Sequence, residues 1–323
     1  MGCCSSSHSA GAWPLAASPL PPSLSSRVFL SHSSKLLLAH ATWRPAPGAP
    51  PRAVIYLVHG YAEHSGRYAH VGAALAAAGF LVHALDLAGH GASEGDRGYV
   101  ARVDAVCADI VQLASEVFAA EDAGLPRFLL GHSMGGLLTL RVASGDYGGG
   151  AWAGAVLSAP LLMADPKTDS ALNRWLARNL SAVWPQLPAA PLDVEGLCTD
   201  AAVVAAYRRD PLCYHGMIKV RTGAELLLAM AAARAAVPRL RTPVLMLHGT
   251  ADRVCLPEGS RQLAADARSA GRDVTLKEYS GFFHEIFNEQ GSPCLDDAIR
   301  WMLARLEPAV PAAAAAAAAA PAQ

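Results

Sequence analysis

The sequence is poor in charge. Of its 323 residues only 16% are charged, and 26 Lys and Arg against 27 Asp and Glu leave a formal net charge of -1. With neither sign in excess, the chain carries no electrostatic footprint for nucleic acid or for an acidic polymer. It also lacks any pairing pattern among its cysteines. Cys3, Cys4, Cys107, Cys198, Cys213, Cys255 and Cys294 are odd in number, scattered and free of C-x-x-C spacing. That argues against a disulfide framework or a zinc knuckle and for a reducing compartment. No metal or organic cofactor is expected. Long apolar runs are missing too. No stretch of 18 strongly apolar residues occurs, so no transmembrane helix is expected, and the Ala tract after Pro311 is only weakly hydrophobic. Residues 1–26 contain no acidic side chain, are rich in Ser, Pro and Ala, and show no helical or strand period. They read as a disordered segment, and residues 308–323 as a low-complexity Ala/Pro tail.

What remains, residues 27–307, is long enough to bury a full core as one domain. It opens with a hairpin, residues 27–32 and 35–43 about a turn at Ser33-Ser34. Short apolar runs at 53–58, 81–85, 128–130, 155–157, 244–247 and 274–278 then alternate with helical stretches at 68–78, 103–120, 135–143, 257–267 and 294–306. Such alternation predicts an α/β fold, a mostly parallel sheet flanked by helices. Residues 161–240 break the rhythm, because about 80 residues separate two strands that one helix would normally join. They read as a helical lid over the carboxyl edge of the sheet, where α/β folds place their ligands.

The strongest chemical signal is Gly131-His132-Ser133-Met134-Gly135, a G-x-S-x-G motif with a strand before it and a helix after it. The serine of such a motif sits on a strained turn that lifts its hydroxyl above the sheet, and glycines stand where side chains would collide. Ser133 is therefore the candidate nucleophile. A serine hydroxyl needs a base, and the base an orienting acid. In this arrangement the chain order is Ser, acid, His. Asp252 follows the run 244–247 and His284 follows the run 274–278, each in a loop at a carboxyl end. Asp165, Asp169, Asp193, Asp200 and Asp210 are rivals for the acid, but they lie in the lid. His59, His90, His132 and His248 flank strand ends but adjoin the wrong elements. The oxyanion hole falls to two backbone N–H groups, those of Tyr61 in the loop after residues 53–58 and of Met134 after the nucleophile.

Taken together, the segments His59–Tyr68 (HGYAEHSGRY), Gly89–Gly95 (GHGASEG), Gly131–Gly136 (GHSMGG), Arg209–Leu212 and Gly249–Cys255 resemble the monoacylglycerol lipases and the related lysophospholipase-like hydrolases. The resemblance runs from about Ala53 to Leu306. It implies the α/β-hydrolase fold with a helical lid, and cleavage of a monoacylglycerol ester through an acyl-enzyme. It further implies that Glu63 and Arg67 shape a polar exit for glycerol, that Tyr207 lies near the same end, and that Cys255 lies near the active site. One position departs: Phe287 stands where animal members carry a second histidine. Glu63 and Arg67, four residues apart, also fit a helix-surface ion pair. Rival functions are a lysophospholipase, an acyltransferase, for which no H-x-x-x-x-D signature is present, and a non-catalytic lipid-binding protein of the same fold.

The start of the chain, Met1-Gly2-Cys3-Cys4-Ser5-Ser6, fits an N-myristoylation pattern with two cysteines available for palmitoylation. The expected partners are a lipid substrate and a membrane surface. The expected location is the cytoplasm, peripheral on membranes through Gly2, Cys3 and Cys4. A plastid transit peptide is the alternative.

Overall fold

The computed structural model describes residues 24–121, 124–163 and 179–306. Among them, eight strands form one sheet. In chain order they are β1 (Leu24–Leu30), β2 (Leu37–Trp43), β3 (Ala53–Val58), β4 (Phe80–Leu85), β5 (Arg127–His132), β6 (Gly154–Ser158), β9 (Val244–Gly249) and β10 (Val274–Tyr279). Their spatial order is β1-β2-β4-β3-β5-β6-β9-β10. The first hairpin pairs antiparallel and β2 lies antiparallel to β4, while every later neighbour is parallel. The α/β architecture expected from the alternating pattern is thus the one present. Two boundaries differ. β1 begins at Leu24, inside the segment read as disordered, because residues 24–30 find a full register against 37–43. The turn spans Ser31 to Leu36 rather than two serines, and it is held by Ser31 N to Leu36 O at 2.9 Å and by Asp109 accepting from Ser31 Oγ at 2.6 Å.

The sheet is buried on both faces by period-two alternation. In β3, Val54, Tyr56 and Val58 join one apolar cluster and Ala53, Ile55 and Leu57 the other. The first cluster holds the helices α2 (Val103–Glu121), α3 (Met134–Ala143), α5 (Val220–Ala236) and α6 (Pro257–Ser269); the second holds α1 (Ala69–Ala77) and α7 (Cys294–Ala304). The stretch 161–240 therefore divides. Its helix α5 belongs to the core layer, burying Leu226, Ala229 and Ala233 in the same cluster as Leu137 and Leu138 of α3. The rest of its described part, residues 179–219, forms the insertion proper. It contains α4 (Ala201–Arg209) and a short ribbon of β7 (Pro188–Ala190) with β8 (Ile218–Lys219). The ribbon corrects the all-helical expectation for this segment. Among the described residues, no helix is long and apolar enough to cross a membrane.

The topology fixes where a ligand can sit. From β3 the chain moves one way to β4, then returns to the other side of β3 as β5. The order reverses between β3 and β5, and the crevice outside their carboxyl ends is the natural binding place in such sheets.

Candidate active site

Ser133 stands at that crevice, between the end of β5 and the first residue of α3. Its backbone is left-handed, at φ 55° and ψ -121°, a conformation that costs a non-glycine residue free energy and persists only where the surroundings enforce it. They do so here by close packing. A Cβ on Gly135 would come within 2.1 Å of Val58 O, and one on Gly131 within 2.3 Å of Gly135 O. Both glycines are thus required by the approach of α3 to β3 and β5. Ser133 N donates to Ser158 O at 2.9 Å, and Ser133 O accepts from Leu161 N at 3.0 Å. The turn is tied at both ends. The hydroxyl is turned toward Cys255, with Oγ 3.8 Å from Sγ, so Cys255 does lie beside the candidate nucleophile.

Asp252 and His284 meet as the chain order implied. His284 Nδ1 lies 2.8 Å from Asp252 Oδ2. A carboxylate only accepts, so Nδ1 carries the proton and Nε2 is left free as a base. Burial alone would raise the Asp252 carboxyl, but His284 and the hydrogen bonds from His248 and His284 outweigh it and hold it well below the usual carboxylate range. Burial pushes His284 down, yet Asp252 more than reverses this, and the imidazole ends above its ordinary value. Asp252 has further support. Its Oδ1 accepts from Val254 N at 2.8 Å and Cys255 N at 2.9 Å, and His248 Nε2 lies 3.1 Å from Oδ2. His248 Nε2 also faces Cys255 O at 2.9 Å, so it is the protonated nitrogen, while Nδ1 accepts from Ser260 Oγ at 2.8 Å. The sequence reading set His248 aside as a rival base and missed this role. The one available signal was its place four residues before Asp252 at the end of the same strand.

His132, the residue before Ser133, is buried against His284 with ring centroids 4.6 Å apart. Burial and the neighbouring His284 push it down to about 3, so it stays neutral beside the base. The remaining sequence rivals are occupied. Asp193 caps Gly196 N, Asp200 caps α4 through Ala202 N, and Asp210 lies 2.9 Å from His64 Nε2. Asp165 and Asp169 fall outside the described residues.

The loop after β3 lies against the nucleophile. A Cβ on Gly60 would be 3.1 Å from Ser133 Cβ, which brings the following Tyr61 amide to the edge of the same crevice. Met134 is the first residue of α3, so its N–H is among those a helix leaves without an intrahelical acceptor. Glu63 fixes the loop: its Oε1 accepts from Gly60 N at 2.6 Å and from Tyr68 Oη at 2.5 Å. Its Oε2 accepts from Arg67 Nη1 at 2.8 Å. The surface ion pair considered for Glu63 and Arg67 is overturned, because their side chains are only 5% and 11% exposed and a third partner joins them. Arg67 forks onto Glu285, Nη1 to Oε1 at 2.7 Å and Nη2 to Oε2 at 2.9 Å. Burial opposes ionisation of Glu63, but Arg67 beside it brings the carboxyl down to about 2.

Tyr207, on α4, is buried with Arg67 over its ring at 5.1 Å. Its hydroxyl lies 3.3 Å from Ala62 O and 3.2 Å from Tyr214 O. Ala62 itself has a left-handed φ of 64°. Tyr207 therefore ties the insertion to the loop that carries the Tyr61 amide.

These parts line one pocket, with Gly60, Tyr61, Ser133, Leu192, Tyr207 and His284 among its walls. Glu63, Arg67, His132 and Glu285 also line a second pocket, whose walls include His70 and Phe287. Among the described residues, one trio has metal-ligating atoms within 4.8 Å of one another: His64, Asp210 and Cys213. Burial pushes the Cys213 thiol up, away from the thiolate a metal needs, and His64 already spends both nitrogens on Asp210 and Gly66 N. The trio is a tie between loop and insertion.

Comparisons with known proteins identify the relatives of this chain. The family described as serine aminopeptidase, S33 matches residues 49–291. A monoacylglycerol lipase of Mycolicibacterium smegmatis is 38% identical over 80% of this chain and 91% of its own length. The monoglyceride lipase of Homo sapiens is 37% identical over 76% of this chain and 79% of its own. Among solved structures, the Paleococcus ferrophilus monoacylglycerol lipase superposes with a TM-score of 0.73 at 33% identity, covering 83% of this chain and 99% of that one.

Proposed function

The chain belongs to the serine aminopeptidase S33 family of hydrolases, and from that premise we propose that it cleaves the ester of a monoacylglycerol to fatty acid and glycerol, with Ser133, His284 and Asp252 as its triad. The observation that carries the reading is a strained serine at the sheet's switch point, sharing one cavity with a histidine whose far nitrogen is pinned by a buried carboxylate. Rotation of the Ser133 side chain away from Cys255 starts the reaction. Its Oγ attacks the ester carbonyl as His284 Nε2 takes the proton. The Tyr61 and Met134 amides hold the carbonyl oxygen as it becomes an oxyanion. The C–O bond to glycerol breaks, and His284 returns the proton to the departing oxygen. Water then gives its proton to His284 and attacks the acyl-enzyme, releasing the fatty acid and restoring Ser133.

The names of the relatives support a monoacylglycerol as substrate. The placement of the insertion supports a lid as well: its Leu192, Leu197 and Tyr207 line the same pocket as Ser133. Glu63, Arg67 and Tyr207 form the wall that receives glycerol. A monoacylglycerol lipase should show kcat/KM for monoacylglycerol at least about tenfold above that for triacylglycerol of the same acyl chain. Equal or faster triacylglycerol cleavage in a substrate panel overturns the reading. Labelling of Ser133 by a fluorophosphonate separates a working hydrolase from a lipid carrier.

The substrate partitions into bilayers, and the lid offers a matching surface. Val183, Trp184, Leu187 and Met217 are exposed apolar side chains on it, with Trp suited to a membrane interface. N-terminal acylation would hold the enzyme there. Gly2, Cys3 and Cys4 lie outside the described residues, and the sequence pattern carries this part. One myristoyl chain gives reversible attachment and a second acyl chain makes it durable. Mass spectrometry of the native N-terminal peptide checks it: acylated Gly2 is the expected result, and a cleaved or bare terminus revives the plastid alternative.

A further inference from the structure

Arginine beside an ester site is ordinarily a phosphate receptor, because its planar fork matches a phosphate as well as it does a carboxylate. The charge of Arg67, however, is already compensated by two carboxylates. Its Nη1 donates to both Glu63 Oε2 and Glu285 Oε1, and its Nη2 to Glu285 Oε2. Two carboxylates and one guanidinium leave the cluster with a net charge of -1. Glu285 is itself held in place: Asn288 Nδ2 donates to Oε2 at 2.7 Å, and Glu285 N donates to Leu197 O of the insertion at 2.6 Å. Glu63, Arg67 and Glu285 all line the Ser133 cavity. With His284 as the free base, the other ionisable groups around it do not offset this sign. His59 and His132 are held neutral by burial, Asp252 is anionic behind His284, and Asp210 stands beyond His64.

We propose that Glu285 sets headgroup selectivity by charge. By compensating the charge of Arg67 together with Glu63, it turns the polar wall of the cavity into one that accepts neutral hydroxyl-bearing headgroups and rejects anionic ones. The inference rests on the monoacylglycerol reading above and deepens it. A glyceryl headgroup brings donors that the carboxylate oxygens can accept. A phosphomonoester brings like charge against largely buried carboxylates, where juxtaposed like charges are strongly disfavoured. The same argument separates monoacylglycerols from lysophosphatidic acid, which differs only by the phosphate.

The test uses the full chain with 1-oleoylglycerol and 1-oleoylglycerol 3-phosphate, each at low mole fraction in neutral detergent micelles. The wild type should favour the neutral ester by about 100-fold or more in kcat/KM. Glu285→Gln keeps an acceptor toward Arg67 but removes the charge, and it should narrow that preference by about tenfold. Glu285→Asp restores the charge and should keep most of it. Comparable turnover of both esters by the wild type, or an unchanged ratio in Glu285→Gln, overturns the proposal. If Glu285→Gln fails to fold, the wild type still decides. A 1-O-alkylglycerol should inhibit cleavage of a nitrophenyl ester about 30-fold more tightly than its 3-phosphate, and equal inhibition constants overturn the proposal. Cleavage of the nitrophenyl ester without cleavage of 1-oleoylglycerol would sink the substrate reading instead, and the inhibitor comparison would still report on charge.

Discussion

The carboxylate of Asp252 receives two backbone amides on one oxygen and two imidazoles on the other. Four donors on a buried acid do two things. They keep it ionised, and they fix the direction in which it holds His284. Ser133→Ala, Asp252→Asn and His284→Ala should each lower kcat by about three orders of magnitude or more while leaving the thermal midpoint nearly unchanged. His248 is a positioning residue in this scheme. His248→Phe removes one charge-assisted donor and leaves Asp252 more basic, so it should cut kcat about tenfold and move the acid limb of the kcat/KM profile upward in pH. His248→Gln, which retains a donor, should lose less. A profile that does not move in either variant would make His248 merely a packing residue.

At the scale of elements, the loops after β9 and β10 bring Asp252 to His284, and three further segments complete the site. The turn from β5 to α3 presents Ser133, the loop after β3 presents the Tyr61 amide, and α4 braces that loop through Tyr207. The glycines at 131 and 135 let α3 approach the sheet closely, and any side chain at Gly135 would meet the backbone of Val58 and His59. Tyr207 was expected near the glycerol end of the substrate. It lines the cavity, but its hydroxyl is committed to Ala62 O and Tyr214 O. Tyr207→Phe should therefore loosen the loop that carries the Tyr61 amide more than it weakens binding. The expected outcome in steady-state kinetics is a fall in kcat of about tenfold with KM changed less than threefold. A rise in KM at constant kcat would assign the hydroxyl to substrate instead.

Over the whole molecule, the buried titratable groups set the pH range of stability. His90 and His132 are each pushed down to about 3, chiefly by burial. Their folded values lie below the unfolded value of about 6.5. Their contribution is therefore fully present above pH about 6.5 and is lost progressively as pH falls toward about 3. Glu63, at about 2 in the fold against about 4.3 unfolded, adds a further loss below pH about 4.3. Asp252, also depressed, acts in the same direction. His284 is raised and has the opposite sign: its contribution is present below pH about 6.5 and is lost as pH rises through its folded value. The melting temperature should fall steadily between pH 6.5 and 4 and more steeply below 4, and His90→Gln should flatten the first part. Thermal scans across pH check this, and a flat profile down to pH 4 would refute it.

The sequence by itself determined the sheet and the strained strand-to-helix turn at Ser133, and it pointed to Asp252 and His284 as a pair. These follow from local rules: apolar period, strand-to-helix context, and glycines that admit no side chain. It could not decide what the polar residues of the loops were paired with. Whether Glu63 and Arg67 formed a surface pair or a buried wall depended on Glu285, more than two hundred residues away. His248 looked like a misplaced base until β9 and the following loop brought it onto Asp252. The helix α5 looked like part of a lid because nothing local distinguishes a helix that covers a ligand from one that packs on α3. Hydrogen bonds and packing between distant segments leave no period in the chain, and only the folded arrangement of the elements fixes them.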